Sequence, residues 1–477
     1  GNHVKVCMER IRFGTDGWRG IVASQFTVAN VAKATSATAT WLLRKYSNPE
    51  VVIGYDTRFL GKMFAETAAK VLAAKSIRVR ITEDFVSTPM VSLAVKELGA
   101  NLGIMITASH NDYRYNGFKI KGSYGGSLLA DDLRDIEHLI SMENEFDLEL
   151  QRWDVFIELE LIKYIDLEDL YFNYIKDHFD LKQINNAGLK IAFDAMYGSG
   201  QRVIKKIIKK ARFFHCTIDP QFGHTPPEPL ERNLHEMSEY IRKSGDVDVG
   251  LAIDGDGDRI ALVNKDGQYI SSHHIILLLI HYLAKYRKLG GKVITGFSST
   301  SKVEKLSLSY GLMITRVPIG FKDICKIMLT DEVLVGGEES GGIAIHGYLP
   351  ERDGIWMALT ILQFMAETGK SLDDILQEIY KITGPFACSR RDIQISKEKR
   401  SRIMEKCRLG EYKSFGRFEV ESIEELDGSK FYFNDDEWVM IRSSGTEPII
   451  RIYSEAGDRE TAEEIVEAAY KTAVFGD

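Results

Sequence analysis

Three carboxylates alternate with two glycines at Asp254-Gly255-Asp256-Gly257-Asp258, directly after the apolar run Leu251-Ala252-Ile253. In an extended segment such alternation sends the side chains to one side, and glycine lets the backbone wrap around an ion. Hard oxygen ligands of this kind suit Mg²⁺, which keeps positions open for water or phosphate. The spacing excludes an EF-hand loop: the sixth position, which needs glycine, is Arg259, and the twelfth, which needs glutamate, is Lys265. An acidic surface turn is the plain alternative. Carboxylates packed this closely need a counter-charge.

A second polar loop, Thr107-Ala108-Ser109-His110-Asn111, follows the apolar stretch 102–106. Small and hydroxyl residues at a strand end make a tight turn, where a serine can serve as nucleophile, as phosphoryl carrier or simply as a turn residue. His110 adjoins Ser109, but neighbouring residues seldom bring their side chains into productive contact, so His110 is expected to support the loop. Lys119, in Asn116-Gly117-Phe118-Lys119, can shuttle a proton or face a phosphate; the ordinary alternative is a solvated lysine. Further along, Arg442-Ser443-Ser444-Gly445-Thr446-Glu447-Pro448 joins a guanidinium, hydroxyls and a glycine that allows a backbone nest, with Arg451 on the next strand. That is phosphate-binding chemistry, although a plain glycine-containing hairpin has the same outline. The loop 336–342 sets Glu338 and Ser340 two apart, able to hold a pair of hydroxyls. Gly14-Thr15-Asp16-Gly17-Trp18-Arg19-Gly20 brings a further arginine, Arg19, expected to bind the substrate.

These loops need elements to position them. Val51-Val52-Ile53-Gly54 runs into the polar turn Tyr55-Asp56-Thr57-Arg58, followed by a helix with Phe64, Ala68, Val71 and Leu72 on one face. Strands at 79–81 and 102–106 and a helix over 90–98 continue an alternation typical of parallel βα units. The pattern recurs at Lys190–Asp194 and at Lys292–Thr295. Each time, a second strand some 40–60 residues later ends in one of the polar loops, as repeated units would. Ligands of open α/β sheets lie beyond the C-terminal strand ends. The expected architecture is therefore α/β: three related α/β domains with mixed sheets (1–155, 156–267 and 268–383), their loops converging on a central cleft. After about Thr383 the strands around 431–433, 438–441 and 449–453 are joined by short polar loops. They predict a smaller α+β domain with an antiparallel sheet (384–477), opened at Gly384-Pro385 and closed by a helix with Ile465, Ala469 and Ala473 on its apolar face. This last domain is expected to hinge near Gly384-Pro385.

The bulk properties agree. The chain has 477 residues, 44% apolar and 27% charged, enough for roughly three or four domains. Its net charge of −8 disfavours nucleic acid, and no apolar run is long enough to span a bilayer. Cys7, Cys216, Cys325, Cys388 and Cys407 form no CxxC pair, which fits reduced thiols and a cytoplasmic protein.

Taken in order along the chain, these motifs resemble the α-D-phosphohexomutase superfamily, which includes phosphoglucomutases, phosphomannomutases and phosphoglucosamine mutases. The resemblance covers nearly the whole chain. It implies that Ser109 is the phosphorylated residue and that Asp254, Asp256 and Asp258, with the phosphoryl group on Ser109, hold Mg²⁺. It further implies that Glu338 and Ser340 hold sugar hydroxyls, and that Arg442, Ser444, Gly445, Thr446 and Arg451 grip the remote phosphate. Lys119 and Arg259 are then the candidates for proton transfer and charge stabilisation, with His110 beside them. The implied reaction interconverts hexose 1-phosphate and hexose 6-phosphate through a bisphosphorylated sugar, with glucose 1,6-bisphosphate as activator, in a monomer or homodimer. Two departures stand out: Asp112 replaces a common proline, and Gly342 replaces the histidine that closes the sugar loop of many dual-sugar enzymes. With Gly320-Phe321-Lys322, which places Lys322 at the substrate, Gly342 favours glucose over mannose or glucosamine phosphates. A metal-dependent sugar phosphatase and a non-catalytic sugar-phosphate sensor are the rival classes.

Overall fold

The computed structural model describes residues 11–14, 17–142, 147–444 and 447–476. The chain divides into two compact units. The first comprises Gly1–Ser272, Ile324–Asp331 and Ser340–Leu372; the second comprises His273–Asp323, Glu332–Glu339 and Asp373–Asp477.

The first unit holds two mixed sheets. In the six-stranded sheet, Glu50–Tyr55 is flanked by Arg78–Thr82 and Leu102–Ile106, all parallel. Tyr115–Gly122 then pairs antiparallel with Leu102–Ile106, and Trp18–Ile21 antiparallel with Tyr115–Gly122. On the opposite edge Ile162–Ile165 adds parallel to Arg78–Thr82, so this sheet takes in residues past position 155. Glu50–Tyr55 and Leu102–Ile106 are buried at every position, as strands covered on both faces must be. The second sheet is five-stranded: Ile191–Asp194 lies between the parallel partners Arg212–Phe214 and Val249–Ile253, with Ile260–Val263 and Tyr269–Ile270 added antiparallel.

Two helices matter for the loops of this unit. Thr88–Glu97 starts at the cap Ser87, whose side chain accepts from the Met90 amide, with a proline in its first turn. Gly354–Thr368 is capped by Asp353, which accepts from the Trp356 amide, and ends at Gly369 in the left-handed region. The cap also accepts hydrogen bonds from the hydroxyls of Tyr171 and Tyr348.

In the second unit, Lys292–Gly296 pairs parallel with Ile314–Val317 and Val333–Gly337. A separate five-stranded sheet is wholly antiparallel, in the order Ala387–Gln394, Ile449–Ala456, Trp438–Ser443, Ser429–Tyr432, Ser422–Glu425. Helix Arg459–Phe475 packs Ile465, Ala469 and Ala473 against Val439, Ile441, Ile450 and Ile452 of this sheet. Buried polar groups tie the two sheets of the unit together. The Glu455 carboxylate accepts from the Ser301 amide at 3.1 Å, the Trp438 indole at 2.8 Å and the hydroxyls of Thr300 and Ser301. The Lys430 ammonium donates to the Phe297 carbonyl and sits 4.0 Å from the centre of the Trp438 ring. Residues on both sides of Gly384-Pro385 belong to one unit.

Candidate active site

Two strand ends of the first unit bring Ser109 and the aspartate loop together. Ser109 lies after Leu102–Ile106 in the left-handed region, φ 55°, and its amide donates to Thr107 Oγ1 at 2.9 Å. The Ser109 hydroxyl donates to Asp256 Oδ1 at 2.9 Å and reaches Asp254 Oδ2 at 3.2 Å. Such proximity needs glycine: a Cβ on Gly255 would stand 2.6 Å from the Ser109 carbonyl oxygen. All four side chains are buried, Ser109 and Asp258 at 1% and Asp254 and Asp256 at 0% exposure, so this is no acidic surface turn.

Lys119 supplies the counter-charge. It comes from Tyr115–Gly122, and its ammonium bonds Asp256 Oδ2 at 2.7 Å and Asp258 Oδ2 at 2.9 Å. At 2% exposure it is not a solvated lysine. An ammonium so paired has no lone pair to accept a proton, though it can give one up, and like the guanidinium of Arg259 it can stabilise negative charge. Arg259 stands 4.0 Å from Asp254 and 3.9 Å from Glu228. Burial, then the nearby Asp256 and Asp258, push the Asp254 carboxyl well above its usual range against the pull of Arg259. Burial and Asp256 raise Asp258 to about 7 despite Lys119 and Arg352.

Among the described residues no group of three His, Cys, Asp or Glu side chains is arranged to hold a metal ion. Lys119 stands between two of the carboxylates, as a buried trio of like charges requires. The donor set still fits a hard cation: hard oxygens only, the Ser109 hydroxyl adjoining them, and a buried Asp258 Oδ1 with no hydrogen-bond partner.

Neighbouring residues complete the loop environment. Thr88 donates its hydroxyl to Asp256 Oδ2 at 2.7 Å and its amide to the Asp256 carbonyl. Arg352 Nη2 lies 3.4 Å from Asp258 Oδ2. Arg19 donates to the Asn111 side chain, which places it beside the Ser109 loop. His110 is half-buried, while the serine hydroxyl turns to the aspartates. Ser340 is half-buried, and Gly342 bridges to Arg259. A Cβ on Gly342 would fall 2.6 Å from Arg352 Cδ, so a histidine there would displace Arg352.

The remaining candidates lie in the second unit. Arg442 and Arg451 face each other directly across two antiparallel strands. Like charges so placed repel, and need acidic partners or a bound anion. Asp427 bonds Arg442 Nε at 3.0 Å and accepts from the Ile319 amide at 2.8 Å; Asp392 lies 3.6 Å from Arg451 and takes two bonds from Arg390. Ser444 is buried and accepts from the Glu447 amide. Glu338 is buried just beyond Val333–Gly337, and Lys322 is exposed at the start of helix Lys322–Met328. Gly445 and Thr446, like Thr15 and Asp16, lie outside the described residues.

Sequence reasoning passed over Thr88, Arg352, Asp427 and Arg390, which become recognisable only through their contacts. Glu351-Arg352-Asp353 did carry a signal, a charged triplet directly before an apolar helix.

Four domain families match the chain in order. They are described as phosphoglucomutase/phosphomannomutase alpha/beta/alpha domain I (residues 10–146), domain II (169–267), domain III (271–382) and the C-terminal domain (398–472). A phosphoglucomutase/phosphomannomutase of Thermococcus kodakarensis is 29% identical over 96% of this chain and 97% of its own. A protein of Methanothermobacter thermautotrophicus, provisionally named phosphoglucosamine mutase, is 31% identical over 95% and 96%. A crystal structure from Thermus thermophilus, provisionally named a phosphomannomutase, superposes with a TM-score of 0.85 at 31% identity, covering 97% of this chain and 99% of that one. The chain belongs to the phosphoglucomutase/phosphomannomutase family, the α-D-phosphohexomutases, whose members are isomerases acting on phosphorylated hexoses.

Proposed function

We propose that this enzyme interconverts glucose 1-phosphate and glucose 6-phosphate through phospho-Ser109. The carrying observation is the hydrogen-bonded group of Ser109, Asp254, Asp256 and Lys119: a buried serine oxygen set among carboxylates and an ammonium. Carboxylates alone repel a phosphoryl group, so these surroundings suit a phosphoserine together with a cation held by the aspartates. Asp254, Asp256 and Asp258 would hold Mg²⁺ together with the Ser109 oxygen, and the ion would neutralise phosphoryl charge.

The phosphoryl group leaves the Ser109 oxygen for the free hydroxyl of the sugar phosphate. The bond to Ser109 breaks as the bond to the sugar oxygen forms, and the hydroxyl proton ends on Ser109, restoring the serine. The bisphosphorylated sugar then turns round and returns its other phosphate to Ser109. Lys119 and Arg259 stabilise the negative charge, while Arg19 and His110 support the loop. Arg442, Ser444, Gly445, Thr446 and Arg451 grip the phosphate that is not being transferred, and Glu338, Ser340 and Lys322 hold the sugar. The paired arginines at 442 and 451 support that reading.

Glucose is the preferred sugar because Gly342, hemmed in by Arg352, stands where dual-sugar enzymes carry a histidine, and Gly320-Phe321-Lys322 resembles the glucose-preferring branches. The relatives carry names for glucose, mannose and glucosamine phosphates. Steady-state kinetics on glucose, mannose, glucosamine and N-acetylglucosamine 1-phosphates in parallel, with glucose 1,6-bisphosphate added, is the test. The highest kcat/KM should fall on glucose 1-phosphate; a higher value for any other sugar refutes the preference.

A further inference from the structure

Arg58 is among the most completely buried arginines of the described residues, at 4% exposure. Its guanidinium is turned into the back of the Ser109 loop. Nη2 donates to the carbonyls of Ser109 at 2.9 Å and Asn111 at 2.7 Å; Nη1 donates to those of Asp112 at 2.9 Å and Tyr115 at 3.1 Å. Four carbonyls of one loop thus converge on one planar fork, a geometry that an ammonium cannot reproduce.

The rest of the side chain is fixed as firmly. Asp56 Oδ2 lies 3.3 Å from Arg58 Nε, and Asp56 Oδ1 accepts from the Arg58 amide at 3.0 Å. Thr107 donates its hydroxyl to Asp56 and accepts from the Ser109 amide, which closes a ring through Arg58, Asp56, Thr107 and Ser109. The Phe222 ring lies 4.9 Å from the centre of the guanidinium. What this ring holds is a serine at φ 55°, a conformation that non-glycine residues avoid and that surroundings must impose. The loop also lacks the stiffness of a proline at 112. Asp112 is held instead by exposed bonds from the Arg114 amide and guanidinium.

We infer that Arg58, acting with Asp56 and Thr107, is the positioning residue for phosphoryl transfer: it fixes the Ser109 oxygen against Asp254 and Asp256 without touching substrate. The inference rests on Ser109 being the phosphoryl carrier. Its donors are spent on backbone, so its loss should slow transfer and leave sugar-phosphate affinity alone. A misplacement of about 1 Å at the reacting atom costs about 100-fold in rate.

The test uses the full-length enzyme carrying Arg58→Lys, which keeps the charge opposite Asp56 but not the fork. Three quantities are read: kcat and KM for glucose 1-phosphate with the bisphosphate present, hydrogen exchange of peptides covering 107–116, and thermal melting. The expected result is a kcat about 100-fold lower with KM unchanged, and faster exchange confined to the loop. A lowered melting temperature with wild-type kcat would make Arg58 merely structural and overturn the inference. So would equal losses in kcat and affinity. Should Arg58→Lys fail to fold, Thr107→Val opens the same ring elsewhere. It should lower kcat about tenfold at unchanged KM, the worth of one hydrogen bond, and an unaltered kcat would overturn the inference. Ser109→Ala, assayed alongside, separates the two claims: turnover in that variant removes the phosphoserine reading itself, and the inference with it.

Discussion

Lys119→Met removes a charge while keeping most of the side chain's length and its apolar stem. In the native chain the ammonium sits between two fully buried carboxylates at 2.7 and 2.9 Å. Breaking a buried ion pair from one side costs about 3–5 kcal/mol, because the partner charge is left unpaired in a low-dielectric site. Here two partners are left, Asp256 retaining Thr88 and Asp258 retaining Arg352 at 3.4 Å, so the middle of that range is expected. At about 2.1 cal/mol/K per residue, a unit of roughly 300 residues shifts by about 1.6 °C per kcal/mol, so the melting temperature should fall by about 6 °C. Added Mg²⁺ should recover more of the loss in the variant than it adds to the wild type, since a divalent cation can replace the missing charge. Turnover should fall by at least about 100-fold, as expected when a buried charge stabiliser is lost. The assays are differential scanning fluorimetry with and without Mg²⁺ and a coupled mutase assay. A variant that melts within about 1 °C of the wild type, less than 1 kcal/mol on this scale, would refute the claim that Lys119 compensates the aspartate loop.

Arg442→Ala should raise KM for glucose 1-phosphate about 10- to 100-fold, the loss of a charge-assisted phosphate contact, with Ser109 phosphorylation retained; an unchanged KM in steady-state assays would make the 442–448 loop a plain turn. Gly342→His should not convert the enzyme to mannose phosphate, because the new side chain collides with Arg352; lower turnover on both sugars is expected, and a gain on mannose 1-phosphate would contradict the packing argument. His215 is raised to about 9, first by its hydrogen bond to Asp194, against the opposing effect of burial, and further by Glu236. Its stabilising charge is fully present below about pH 6.5 and lost as pH rises through 9. His215→Gln should therefore flatten the decline in melting temperature between pH 6.5 and 9, and an identical slope in the variant would refute the assignment.

Much of this site could be read from spacing alone, and the reasons are local. Asp254-Gly255-Asp256-Gly257-Asp258 announces itself because glycine lets a backbone wrap around an ion and because alternating carboxylates have few structural uses. Leu102–Ile106 and Ile191–Asp194 are short apolar runs ending in polar turns, and they form strands as expected. The strand Tyr115–Gly122 was hidden by Lys119 and Lys121, which look solvated in sequence. Both are buried because Asp256, Asp258 and Glu351, far along the chain, pair with them. Ala387–Gln394 was hidden likewise, since its charged residues lie on a sheet edge. Arg58 and Arg352 were illegible for a related reason: what they do depends on carbonyls and carboxylates that only the fold brings to them. Lys119 bridging Asp256 and Asp258 is the clearest lesson, because sequence supplied the three aspartates and the lysine but not their pairing.

The central claim is that Ser109 carries the phosphoryl group, and peptide-resolved mass spectrometry of the enzyme tests it most directly. The wild type is incubated with glucose 1,6-bisphosphate, separated from the sugar, and mapped before and after addition of glucose 6-phosphate. One phosphoryl group is expected on the peptide containing Ser109, removed when the sugar phosphate is added and recovered on the sugar. A phosphoryl group found instead on an aspartate of the 254–258 loop, or turnover with Ser109 never modified, would contradict it.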